Sequence, residues 1–495
     1  MARDYETALV LRGFTGLDQS KAPELINYQA SPDCCNMDTK NGNLCVAKGY
    51  AQLDVPPVPG GAGSLGAFYR RADGKSWLLA ANAGGIWACE GGSRGLDFDD
   101  EDETTDAPSE WVQIFAPPAD ADGAPGRMGE HVDFLNYQDR ESDVVLMADG
   151  VNPVLTWSGE DTATFQAGIE HRFAHIELKN ERLWGSGAPG KPDSLYWSRE
   201  FAVDNWEPDA EDPDNGGGEV QIPTWDGGSI RLIRNFFNDM VVFKGSSVHK
   251  LTGTYPGQYA VDAVTGDDTP IAARTVVQYG DRVYFLGKGG LCVYNGVQVA
   301  DTGDRRWKEW HKRMSPHFSE AACAIKHDSM LYIALPVDGS ETNNLVLEYD
   351  MERDTVMPRT GIRVAHWIEW EERLIFADPE GNLYEYGVGE TYDGEPIEAH
   401  WRTPTYNMGN SDSAGDRTTK QLGELTCYGE GRMHITTEAD HKVKQTEIFF
   451  TTPAKRMRKR LNVRGRRFRL TLRAVDGLPF ALYGALTIQM DIESD

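Results

Sequence analysis

From about residue 65 to 390 the chain repeats one unit: a short β-rich run, a turn containing Gly, Asp or Asn, and a second β-rich run that often ends in an aromatic. The clearest copy is RVYFLGKGGLCVYNG, Arg282 to Gly296. Val283–Leu286 and Leu291–Tyr294 pair as antiparallel strands in this reading, because Gly289 and Gly290 tolerate the positive φ that tight hairpins need. Further copies start at Ser76 (SWLLAANAGGIWACEGG), Asp143 (DVVLMADGVNPVLTWSG), Asp239 (DMVVFKGSSVHKLTG), Ser329 (SMLYIALPVDGSETNNLVLEYD) and Arg373 (RLIFADPEGNLYEYG). ERLWGSGAPGKPDSLYWS, from Glu181, keeps both strands and widens the loop.

Turn-to-turn intervals average roughly 50 residues, close to the repeat of a four-stranded propeller blade once insertions are allowed. A small sheet of this kind cannot bury both faces alone, so it must stack on neighbours, and a closed ring leaves no end unit exposed. A β-propeller of about seven units is therefore preferred to a β-solenoid or a chain of sandwiches. After about residue 391 the repeat stops, and ELTCYGEG, MHITTEA, EIFFTTP, FRLTLRAV and LYGALTIQMDI read as strands of a β-sandwich. The expected fold class is all-β, a β-propeller followed by a C-terminal β-sandwich. Residues 1–64 form an N-terminal arm with the first propeller strands, 65–390 the propeller with acidic loop insertions, and 391–495 the sandwich. A length of 495 residues independently asks for more than one domain, and 52 glycines with 25 prolines suit a turn-rich β chain.

The formal net charge of −28 makes the surface as a whole repel phosphate, which argues against a protein that wraps DNA for affinity. It does suit a wall that DNA slides past. Two acidic stretches interrupt the repeat. LDFDDEDETTDAPSE from Leu96 supplies Asp97, Asp99, Asp100, Glu101, Asp102 and Glu103 as candidate lumen or loop acids, and DNWEPDAEDPDNGGGE begins at Asp204. Neither follows the spaced D-x-D-x-D-G calcium loop with its distal Glu, so both read as solvated loops. Against this background one stretch is basic: Lys455, Arg456, Arg458, Lys459, Arg460, Arg464, Arg466, Arg467, Arg469 and Arg473, with no acid between them. In RFRLTLR charged or polar and apolar residues alternate at period two, as in a strand with a basic outer face. These ten are candidate inter-subunit contacts to an acidic neighbour, including another copy of the chain.

The seven cysteines, Cys34, Cys35, Cys45, Cys89, Cys292, Cys323 and Cys427, show no metal-ligand spacing and read as reduced, mostly buried thiols. No secretory leader pattern opens the sequence, and no run approaches the roughly 20 apolar residues of a membrane helix, so folding in the cytosol without membrane insertion is expected. There is no G-x-S-x-G, H-E-x-x-H, Walker A loop or dinucleotide fingerprint. His171 and His175 are four apart, but they precede a strand, where that spacing separates them. Propellers also host glycosidases, yet the S-x-D-x-G-x-T-W box is missing from every hairpin turn. The expectation is a non-enzyme with no cofactor and no metal.

Two stretches resemble a known family. Gly13 to Tyr50, with GLDQSKAP at its start, Asn residues in the middle and a terminal KGY, resembles the opening of bacteriophage tail-nozzle or DNA-stabilisation proteins. RLWGSGAPGKPDSLYWS, Asp204 to Trp206, PTWDGGSIRLI, MVVFKGSSVHKLTGTYPG and RVYFLGKGGLCVYNG follow in an order similar to propeller proteins of phage tail gene clusters. The resemblance implies a virion protein of the tail, assembled in the host bacterial cytoplasm as a ring of about six identical copies. Its partners would be itself, portal or head-to-tail adaptor proteins and other tail components, with double-stranded DNA passing through without sequence-specific binding. Similar propellers occur in long-tailed phages too. The alternative from another class is a tail propeller that binds or cleaves host-surface glycans, which exposed aromatic platforms near paired carboxylates would favour.

Overall fold

A computed structural model describes residues 7–91, 110–119, 125–138, 142–224, 228–265, 270–302, 304–407, 418–450 and 455–493. The fold is all-β: a seven-bladed propeller and a C-terminal sandwich-like sheet, with two short α-helices among the described residues, Lys308–Lys312 and Phe318–Ala321. Each repeated hairpin is the second and third strand of one blade. In the clearest copy Val283 pairs with Tyr294 and Leu286 with Leu291. Of the two turn glycines, Gly290 takes φ +124°.

These middle strands carry near-continuous apolar runs because a blade is sandwiched between two others, so both of its faces are buried. In Asp143–Ala148, Val145 and Met147 pack towards blade 1, while Leu146 and Ala148 pack towards blade 3. In Lys75–Asn82, Leu79 and Ala81 face blade 2, and Leu78 faces blade 7. The innermost strands touch their neighbours all the way round, His366–Trp370 of blade 7 meeting Ser64–Arg70 of blade 1. Blade 7 takes its outer strand from far back in the chain: Tyr50–Gln52 pairs with Leu383–Tyr386 and closes the ring.

The C-terminal part is one continuous 11-stranded sheet folded onto itself. Its spine is the long strand Thr419–Ala439, whose first half pairs with Lys455–Gly465 and Ala485–Glu493 and whose second half pairs with Lys442–Phe449 and Phe468–Ala474. Gly431, at φ +79°, sits where the two halves meet; a Cβ there would come within 2.3 Å of the Pro479 carbonyl. Leu425, Ile435, Leu461, Leu470, Leu472 and Ile488 fill the space between the layers.

The residues ahead of the propeller are woven into this sheet. Thr7–Arg12 pairs with Ala485–Glu493, Asp33–Cys35 with His400–Arg402, and Leu44–Val46 with Phe480–Leu482. The same arm is tied to blade 6 by Leu17 N–H on the Val356 carbonyl (3.0 Å) and Asn36 N–H on Pro358 (3.0 Å). A buried group completes the tie: Arg359 donates to Glu348 and to the Met37 carbonyl, and Tyr386 O–H donates to Glu348 at 2.6 Å.

Candidate interaction surfaces and channel mouth

The ten basic residues do not share one face. Lys455 opens the strand Lys455–Gly465, from which Arg456, Arg458, Arg460 and Arg464 project into solvent while Leu461 and Val463 point inward. Arg456 lies over the Tyr428 ring (6.0 Å), Arg458 is 3.5 Å from Glu424, and Lys459 is exposed near Glu447. Arg466 and Arg467 form the corner between the two layers, their backbone N–H groups donating to the Asp440 carboxylate at 2.8 and 3.0 Å. Arg469 and Arg473 belong to the other layer. Arg469 is engaged by Glu438 at 2.5 Å, and that contact holds the Glu438 carboxyl below its usual range. Arg473 is exposed.

Asp97, Asp99, Asp100, Glu101, Asp102 and Glu103 lie outside the described residues, between the third and fourth strands of blade 1. The second acidic stretch lies in the connection between Lys191–Trp197 and Gly218–Gln221 of blade 3, and it is anchored. Arg182, 1% exposed, donates to the carbonyls of Ser198 (2.8 Å), Asp214 (2.9 Å), Asn215 (3.0 Å) and Gly216 (3.0 Å). Trp206 packs on Phe173 with centroids 4.9 Å apart. Asp209 accepts from the backbone N–H of Asp212 and Glu211 and pairs with Arg199 at 3.4 Å, which lowers its pKa. Asp204, Glu207, Glu211, Asp212 and Asp214 remain exposed.

Sequence reasoning missed a third feature. The innermost strands all begin at the same end of the propeller, so their first residues crowd around the axis. There Arg274 donates to the Ala365 carbonyl (2.6 Å) and to His366 (2.8 Å), and His131 faces His366 across 6.1 Å. Arg234 lies 3.7 Å from Asp133 and 3.8 Å from Glu177. Burial pushes all three imidazoles down: His175 to about 4, His366 well below its ordinary value with Arg274 adding to the effect, and His131 in the same direction. The same burial raises Glu177 against the pull of Arg234. Beside the axis at this end is a cavity of ≈ 430 Å³ lined by Glu130, His131, His317, Glu320, Ala321 and Glu341. His171 is elsewhere, its ring tilted against Tyr196 at 4.6 Å. The blade frame is the signal for part of this group: Asp133, His175 and His366 open the first strands of blades 2, 3 and 7 and His131 just precedes one, while Glu177, Arg234 and Arg274 lie further along theirs.

None of the seven cysteines is joined in a disulfide. Burial raises their pKa where a shift is resolved, Cys323 to about 11 and Cys427 to about 12, so these sulfurs stay protonated and poorly nucleophilic. Among the described residues no three His, Cys, Asp or Glu side chains gather as a metal site, and no helix is long and apolar enough to cross a membrane.

No protein-family model matches the chain, and no curated protein matches it. Solved structures do. The extracellular domain of the putative one component system BT4673 from B. thetaiotaomicron is 10% identical over 93% of this chain, with a TM-score of 0.40. The chain spans 65% of that domain, less than two thirds of its length. The Neurospora crassa Pan2 WD40 domain (10% identity, TM-score 0.40) is matched over 74% of this chain and 98% of that one. BamB from Moraxella catarrhalis (8% identity, TM-score 0.38) is matched over 70% and 100%. The seven-bladed assignment rests on the strand pairing itself.

Proposed function

We propose that the chain is a structural, non-catalytic protein of a bacteriophage tail, forming a ring below the portal and adaptor through which genomic DNA is retained and ejected. The observation that carries this reading is the resemblance over Gly13 to Tyr50 and Glu181 to Gly296. Physical chemistry supports it in two ways. The arm that carries the first motif joins propeller and sandwich through the pairings at Asp33–Cys35, Leu44–Val46 and Tyr50–Gln52, which suits a body that must stay rigid under load. A net charge of −28 lets phosphate pass without being held. Mass spectrometry of intact phage particles from the same host tests the reading: the chain should be present in stoichiometric amounts, and its absence from particles contradicts it.

A second reading, glycan recognition by a tail propeller, is favoured by one observation: Phe201 and Phe237 stand exposed at one end of the propeller, and the neighbouring Glu200 is exposed as well. Binding or turnover of host-surface glycans by the purified chain, abolished by changing one carboxylate, selects that reading.

A further inference from the structure

At the end of the propeller opposite the repeated hairpin turns, blades 3 to 5 leave apolar side chains in water. Phe201 (60% exposed) sits in the anchored acidic connection of blade 3, Phe237 (67%) in the first turn of blade 4, Tyr255 (37%) in its last connection, and Val297 (79%) in the last connection of blade 5. Direct contacts link these connections. Phe201 N–H donates to the Glu181 carbonyl at 2.8 Å, Asn180 donates to Thr254 at 3.4 Å, Phe237 packs on Phe236, whose ring meets Tyr294 of blade 5 at 5.4 Å, and Lys250 reaches the Gly296 carbonyl at 3.4 Å. Phe201 and Phe237 are held at φ +57° and +52°, where a bulky residue is strained, so the backbone works against its own preference to present both rings. The same end carries the exposed carboxylates Glu181, Glu207, Glu211, Asp212 and Asp281.

The complementary surface is on the C-terminal sheet. Arg456, Arg458, Arg460 and Arg464 stand on its outer face, and Tyr428, directly opposite Arg456 in the ladder, is exposed with them. Backbone bonds at Val356 and Pro358 fix the arm, and with it the sheet, to blade 6, three blades round from the acidic connection of blade 3.

We propose that these surfaces are the two halves of one heterologous contact: the arginine face of one copy's C-terminal sheet seats on the acidic, aromatic underside of blades 3 to 5 of a second copy. The proposal deepens the ring reading above by naming its interface. Opposite charge sets register and speeds encounter, and burial of Phe237 and Val297 supplies the apolar centre. Repeated by rotation, such a contact closes into a ring.

Sedimentation velocity of the full chain tests it, at about 50 mM and about 500 mM salt, which differ severalfold in screening length. Wild type should associate at low salt and less at high salt. R456E/R458E/R460E and E207K/E211K/D212K should each associate at least about tenfold more weakly, since like charges then face each other. An equimolar mixture of the two should regain association, because every interface again pairs opposite signs; recovery also shows that both variants are folded. F237S should weaken association at both salt concentrations. A wild-type chain monomeric at about 100 µM, reversals that associate normally, or a mixture that fails to recover overturns the contact, as does F237S abolishing glycan binding while association is unchanged. An axial tail ring that assembles despite both reversals overturns this interface and leaves the tail reading intact. Association through this contact by a chain absent from particles does the reverse.

Discussion

Arg182 illustrates how one side chain decides whether a sequence feature is a loose loop or a surface. The acidic run after Asp204 reads as solvated, because its charges repel and little in it is apolar. The structure pins its backbone with a buried guanidinium bonded to the Asp214, Asn215 and Gly216 carbonyls, more than 30 residues away, a partner that no local pattern announces. Arg182→Met should therefore cost about 3 kcal/mol by chemical denaturation and open the 198–217 connection to protease, since buried carbonyls lose their donor. Unchanged protection of that connection would contradict the role. The channel histidines give a pH signature. His175 has its pKa depressed from 6.5 to about 4, so the unfolded chain binds the proton more readily. Its contribution is fully present above about pH 6.5 and is lost as pH falls towards about 4. Glu177, raised by burial, titrates in the opposite sense and trims the loss. Tm should fall between pH 7 and 5, and His175→Gln should flatten that fall; parallel pH profiles for the two proteins would remove the assignment.

At the scale of elements, the hairpins were legible because a middle blade strand is apolar on both faces and its turn carries Gly or Asp. The strands flanking them were not. Asp133–Gln138 (DFLNYQ) has no fully buried residue and sends Phe134 and Leu135 to opposite neighbouring blades, and Thr164–Phe165 is two exposed residues long, so neither has a clean apolar period to read. The turns from first to second strand hide for another reason: Asn180-Glu181 and Glu371-Glu372 adopt positive φ without glycine. RFRLTLR did mark a strand, but Arg467 falls in the corner before it and Arg469 is engaged by Glu438, outcomes fixed by the long strand across the sheet. Ring closure by Tyr50–Gln52 is non-local and leaves no trace in the repeat. Tyr50 stacks on Tyr392 at 5.0 Å and meets Phe376 and Tyr384 edge-on at 5.1 and 5.0 Å. Tyr50→Ala should cost about 2–4 kcal/mol and loosen blades 7 and 1 ahead of the rest in hydrogen exchange. A uniform loss of protection would argue against a closure strand.

On the scale of the whole molecule, an acidic seven-bladed body carries one basic sheet face, and its N-terminal arm binds propeller to sandwich. Replacing Asp99 to Glu103 with Gly and Ser should leave Tm nearly unchanged, because like charges with few apolar neighbours add little to folding. A fall of many degrees would mean that the segment binds a cation or a neighbour. The most direct test of the central claim is electron cryo-microscopy of phage particles carrying this chain with an added label. The account predicts labelled density as a closed ring on the tail axis, immediately below the portal and adaptor. Label confined to peripheral fibres, or missing from the particles altogether, would contradict it.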